Sequence, residues 1–115
     1  MTHWRVHPMA RVPEIDVQAA REWLKSGEAV FLDIRDPGSH AAGRIPDSQH
    51  LHDGVVESFL EETPRDSKIV VYCYHGNSSL MAAAWLLEQG FQTVYSLAGG
   101  FEAWHLAHKD CIESR

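Results

Sequence analysis

Cysteine is scarce in this chain: Cys73 and Cys111 are the only two among 115 residues. That excludes a disulfide framework or a cysteine-rich metal centre, and a reducing compartment with free thiols is the simplest expectation. A Cys73–Cys111 disulfide would be a redox event, not a structural staple. Positive charge is also short. Ten Lys and Arg stand against sixteen Asp and Glu, a formal net charge of −6, and no Lys/Arg block occurs. A nucleic-acid partner or an anionic membrane surface is therefore disfavoured. Long apolar runs are missing too; the longest, Leu80 to Leu87, is far too short to span a bilayer. The opening residues, Met1 to Pro8, are mixed and polar and do not read as a signal peptide. The expectation is a soluble cytoplasmic protein. Internal repeats, linkers and low-complexity tracts are absent as well.

What is present suits one compact domain with a real core: 44% of residues are apolar and 23% charged. Residues 1–12 read as an N-terminal extension, 13–109 as the domain, and 110–115 as a polar tail expected to fray. Asp16 is a good N-cap for a helix over residues 17–25, which Gly27 ends. Ala29 to Ile34 is nearly continuously apolar, as in a parallel strand buried on both faces. Asp36-Pro37-Gly38 breaks the chain, with a short helical turn over Ser39 to Ala42. A brief strand is expected near His50-Leu51, helical spacing over Val55 to Leu60, and a strand over Ile69 to Tyr72. A helix then runs to Gln89, a strand covers Thr93 to Ser96, Gly99-Gly100 turns sharply, and a last helix covers Phe101 to His108. Alternating strands and helices predict an α/β fold: a central, mostly parallel sheet with helices on both faces. Ligands of such folds sit at the carboxyl ends of strands.

Cys73 stands at such an end, heading the loop Cys73-Tyr74-His75-Gly76-Asn77-Ser78-Ser79 between an apolar strand and a helix. Thiols act as thiolates, and a helix N-terminus lowers their pKa. Successive N–H groups curled around the sulfur would add an anion nest. Gly76 permits the curl, and Asn77 and Ser78 are candidates to cap the helix. Taken alone, the cysteine is as readily a small buried hydrophobe.

The loop resembles the active-site loop of the rhodanese family, most closely its single-domain bacterial thiosulfate sulfurtransferases of the GlpE type. Two further segments agree. Leu32-Asp33-Ile34-Arg35-Asp36-Pro37 with Gly43-Arg44-Ile45-Pro46 resembles the family's N-terminal signature, and Ser96 to Trp104 its C-terminal one. The resemblance covers about Ile15 to Trp104. It implies a rhodanese-like fold and a ping-pong reaction with no cofactor. Cys73 would take sulfane sulfur from thiosulfate or another persulfide donor, release sulfite, and pass the sulfur to cyanide, a small thiol or thioredoxin. Tyr74, His75, Gly76, Asn77, Ser78 and Ser79 would bind the donor, with N–H groups from Tyr74 through Ser79 serving where no cation stands. A sulfur-relay or binding module with little turnover is the alternative. Cysteine phosphatases are disfavoured. They need Cys-x5-Arg to clamp an oxyanion, and the sixth residue after Cys73 is Ser79.

The chain departs from the family pattern at Gly43-Arg44, where Gly-His is usual. The basic residues that two-domain relatives carry beside the loop are replaced by Tyr74, His75 and Ser39, so the donor's identity stays open. Arg35 has two readings: a contact to the loop or the donor's sulfonate, or a structural ion pair with Asp33 or Asp36, which is preferred. His50-x-His52 and His105-x-x-His108 have metal-like spacing but lack a Cys or carboxylate partner, so solvated histidines are expected. Trp85, Leu86 and Trp104 read as core. Phe101 and Tyr74 read equally as core or as an apolar rim around a pocket.

Overall fold

A computed structural model describes residues 11–114. The proposed extension over residues 1–12 lies mostly outside the described residues. The five strands are β1 (Glu14–Ile15), β2 (Val30–Asp33), β3 (Gln49–His50), β4 (Lys68–Tyr72) and β5 (Thr93–Leu97). The helices among the described residues are α1 (Val17–Ser26), α2 (Pro37–Ala42), α3 (Val56–Glu62), α4 (Ser78–Glu88) and α5 (Gly100–Ala107), with a 3-10 turn at Asp53–Val55. The sheet order is β1-β5-β4-β2-β3, and every pairing is parallel.

Alternation along β4 explains why the sheet is sandwiched. Side chains in a strand point to opposite faces in turn. Ile69 and Val71 enter one core, with Leu32, Phe59, Ala82, Ala83 and Leu86. Val70 and Tyr72 enter the other, with Phe31, Ile45, Phe101 and Trp104. Both faces are buried, so the strand reads as a continuous apolar run. Leu86 and Trp104 are core as expected, whereas Trp85 is only half-buried.

The local signals hold in α1. Asp16 accepts the Ala19 N–H at 2.8 Å, and Gly27 closes the helix in the left-handed region at φ 72°. Asp36-Pro37-Gly38 was expected to break the chain and instead starts α2. Asp36 accepts the Ser39 N–H, and Pro37 occupies the first turn, where its missing N–H has no partner to lose. The described part of the tail, residues 110–114, is tied down rather than frayed. Arg44 and Glu113 exchange two backbone hydrogen bonds of 2.9 Å, and Cys111 O accepts the Trp104 indole N–H at 2.8 Å. Cys111 and Ile112 also pack against the second core.

At the carboxyl end of β2, Asp33 is fully buried beside Arg35. The guanidinium donates to both carboxylate oxygens (Nε–Oδ1 3.0 Å, Nη2–Oδ2 2.8 Å) and to Gly43 O at 2.6 Å. His40 Nδ1 meets Oδ2 at 2.8 Å. Burial pushes the Asp33 carboxyl up, but the hydrogen bonds from Arg35 and His40 outweigh it and hold it below its ordinary value. The contribution of Asp33 to stability is thus complete above the unfolded carboxyl value of ~3.9 and is lost as pH falls through the lower folded one. Asp33→Asn is expected to cost about 3 kcal/mol at neutral pH, because it strands a buried guanidinium. Urea unfolding should show this, together with a shallower loss of stability below about pH 4 than in the parent. An unchanged acid slope would mean that other carboxylates carry it.

Candidate active site

Cys73 follows β4 directly, beyond the pairing of Tyr72 with Asp33. Its side chain is almost covered, at 7% exposure. The loop curls so that Sγ accepts the Gly76 N–H at 3.1 Å and the Ser79 N–H at 3.3 Å. The Ser79 hydroxyl lies 3.3 Å from Sγ and 2.8 Å from the buried Ser96 hydroxyl. Burial pushes the Cys73 thiol up. The Ser79 hydroxyl and the N–H groups of Ser79, Gly76 and His75 overcome this, and the net shift is downward.

The sulfur itself caps α4. Ser79 belongs to the first turn, whose N–H groups have no partner within the helix. Asn77, expected as a side-chain cap, makes no such bond, and its backbone is already helical at φ −91° and ψ −55°. A side-chain oxygen there would compete with the thiol for the same donors. Tyr74, Asn77 and Ser78 send no N–H to Sγ, so the nest is narrower than the full run from Tyr74 through Ser79.

A second element holds the loop. The Phe101 N–H donates to Cys73 O at 2.8 Å, and the Glu102 N–H donates to Tyr74 O at 2.9 Å. This approach needs Gly100. At φ 62°, a Cβ there would lie 2.5 Å from Tyr74 O and 2.6 Å from Cys73 O. Gly76, at φ 94°, turns the loop against the same segment, where a Cβ would meet Gly99 N at 3.0 Å. Gly99-Gly100, expected as a sharp turn, brings α5 against the loop.

The remaining candidates divide. The side chains of His75 and Tyr74 lie outside the nest, with rings stacked at 4.7 Å, and His75 Nδ1 meets Glu102 Oε1 at 3.1 Å. Tyr74 is 53% exposed, whereas Phe101 is buried. Arg35 makes no hydrogen bond to the cysteine loop. It pairs with Asp33, not Asp36, and its guanidinium lies 4.2 Å from the Phe101 ring centre. His50 donates to Arg35 O at 2.6 Å, and His52 accepts the Gly54 N–H at 3.2 Å. Both therefore serve as structural partners. No group of three or more metal-ligating side chains gathers among the described residues. Ser96 and Glu102 were missed by sequence reasoning. A serine pointing into the buried side of an apolar strand was the available signal for Ser96.

A nearly covered thiol in an amide nest, at the carboxyl edge of a parallel sheet, defines a thiolate-stabilising α/β domain. The chain belongs to the rhodanese family: residues 16–107 match the model of the rhodanese-like domain. It is similar to a solved rhodanese-related protein from Thermoplasma volcanium, with 26% identity over 83% of this chain and 92% of that one (TM-score 0.71). It is 32% identical to a Rhodopseudomonas palustris protein described as of unknown function and a possible tyrosine phosphatase, over 84% of this chain and 81% of that one (TM-score 0.71). The human single-domain sulfurtransferase TSTD1, at 23% identity over 82% and 96% of the two chains, shares the fold (TM-score 0.72). No helix among the described residues is long and apolar enough to cross a membrane.

Removing the Ser79 hydroxyl should expose the cost of burial. In Ser79→Ala, the pH profile of Cys73 alkylation by iodoacetamide is expected to move to higher pH. The rate at neutral pH should fall about tenfold, the worth of one hydrogen bond to a charged group. An unshifted profile in a folded variant would assign the thiol's acidity to the backbone alone.

Proposed function

We propose that this domain is a sulfurtransferase that carries sulfane sulfur on Cys73, with thiosulfate or a related persulfide as donor. The observation that carries the reading is the setting of Sγ: two backbone N–H groups donate to it and the Ser79 hydroxyl lies 3.3 Å away, at a site almost closed to water. These stabilise a thiolate at rest and would stabilise it again as the leaving group when the terminal sulfur is transferred.

The reaction balances without an outside oxidant. The Cys73 thiolate attacks the outer sulfur of thiosulfate, the S–S bond of the donor breaks, and sulfite leaves with the electron pair. Cyanide or a thiol, a thioredoxin-like protein among the candidates, then attacks the terminal sulfur, and the pair returns to Sγ as thiolate. Sulfite is a good leaving group, so no general acid is needed. A phosphatase reading is weaker here. Ser79 occupies the place where an arginine would clamp the phosphate, and its side chain is turned inward to Ser96.

Thiocyanate formation from thiosulfate and cyanide tests this directly. The parent should turn over, and Cys73→Ala should fall to the uncatalysed background. Mass spectrometry after thiosulfate alone should find one added sulfur on the peptide holding Cys73. Equal thiocyanate rates in parent and variant would reduce the domain to a binding or relay module.

A further inference from the structure

The segment after α5, residues 108–114, folds back as a strap over the second core, where Cys111 and Ile112 pack. With α2 and α5 it bounds a cleft of about 520 Å3 beside the cysteine loop. Tyr74 stands at the end of the cleft nearest Cys73, Arg35 and Phe101 line it, and Lys109 and Ile112 of the strap form one side. Hydrogen bonds hold the strap along its length. The Cys111 N–H donates to His108 O at 2.9 Å, Cys111 O accepts the Trp104 indole N–H, and Glu113 exchanges backbone bonds with Arg44.

His108 pins the strap where it leaves α5. At 2% exposure it is the most deeply buried histidine among the described residues. Its ring stands edge-on to Trp104 at 4.8 Å. Nε2 lies 2.9 Å from Val17 O, and Nδ1 lies 3.0 Å from Arg21 Nη1. A carbonyl can only accept and a guanidinium can only donate, so Nε2 carries the hydrogen and Nδ1 presents a lone pair. The ring is therefore neutral, with both nitrogens in use. A proton on Nδ1 would replace that lone pair with an N–H aimed at a cation that cannot be discharged. The charged groups around the ring are Arg21 from α1 and Lys109 and Asp110 from the strap, while His105 on α5 is turned to Phe101. Asp110 is already bound to Arg21 at 3.1 Å, and Arg21 Nε is buried with no partner among the described residues.

We propose that His108 is an acid-sensitive pin: its neutral ring holds the strap shut, and its protonation frees residues 109–114 and opens that side of the cleft. Closure is complete above the ordinary histidine value of ~6.5 and weakens as pH falls below it. The cysteine loop is spared, because Phe101 and Glu102 hold it from the start of α5, about two helical turns from His108. Acid thus widens the approach to Cys73 and leaves the nest around its sulfur in place. The strap's response is read without turnover, so it stands or falls apart from the sulfur-transfer reading.

Hydrogen exchange in isotope-labelled protein, followed from about pH 8 to about pH 5, tests this. Protection of the Arg44, Cys111 and Glu113 amides, corrected for the intrinsic exchange rate at each pH, is compared with that of Val70 in β4. Below ~6.5, protection of the three strap amides should fall by about tenfold per pH unit, the limit for one proton, while Val70 holds. The fall should share its midpoint with the ring shifts of His108 and not with those of His105. His108→Gln supplies the control. Its amide can donate to Val17 O and accept from Arg21 but cannot titrate, so strap protection should vary less than about twofold over the range. Protection that stays flat in the parent, follows His105, or falls equally in a folded His108→Gln overturns the inference. If that variant does not fold, the midpoints measured in the parent decide.

Discussion

The contact between the start of α5 and the carbonyls of Cys73 and Tyr74 is the constraint on which the site depends. The peptide bonds here are trans, so each carbonyl points opposite to the N–H that follows it. When Glu102 takes Tyr74 O, the His75 N–H is turned toward the sulfur. When Phe101 takes Cys73 O, that carbonyl dipole is held away from the thiolate. The clamp thereby decides the sign of the field inside the loop. Gly100 is the residue that allows it, because any side chain there would occupy the space of the two carbonyl oxygens.

That field has to beat desolvation. A thiol at the edge of a packed core would ordinarily be harder to ionise. Here the gain comes from fixed hydrogen bonds, with no lysine or arginine among the described residues bonded to the sulfur. Ser79 contributes twice, through its N–H and its hydroxyl, and Ser96 completes the hydroxyl's hydrogen bonding inside the core. A fixed set of dipoles has two advantages over a mobile cation. It costs no side-chain entropy on binding, and it needs no rearrangement when the sulfur becomes charged. The helix gains as well, since the sulfur takes the place of a capping side chain at α4.

Much of this was legible in the chain. The caps of α1, the two-sided apolar runs of β2 and β4, and the strand–loop–helix placement of Cys73 are local signals, and local physics fixed them. What was not legible depends on distant partners. The two-residue β1 exists because Ile15 and Glu14 find Leu97 and Ser96 across the sheet, and nothing within Pro13-Glu14-Ile15 announces it. Asn77 looks like a cap until the thiol takes the donor. The tail looks frayed by composition, yet it is tied down at three remote points. Arg21 reaches Asp110, Arg44 pairs with Glu113, and Trp104 donates to Cys111 O. His108 completes the tie, donating from Nε2 to Val17 O and receiving Arg21 at Nδ1. Arg35 shows the opposite case. Its neighbour Asp33 was the correct partner, because the pair is only two residues apart and the carboxylate is buried with it.

The same ties bear on charge. A protein of net charge −6 that stabilises a thiolate among its own acids has to manage its own long-range repulsion. This fold does so by position rather than by count. Its acids near Cys73 are turned onto arginines, a histidine or helix N–H groups, and each such pairing removes a negative end from the approach. The C-terminal segment matters here, since folding it back consumes Asp110 and Glu113 while leaving Lys109 facing the cleft. Screening at physiological salt limits charge effects to about 8 Å, so what an incoming anion meets is the local arrangement and not the total. The segment that looked dispensable by composition therefore helps set the electrostatics of the approach to Cys73.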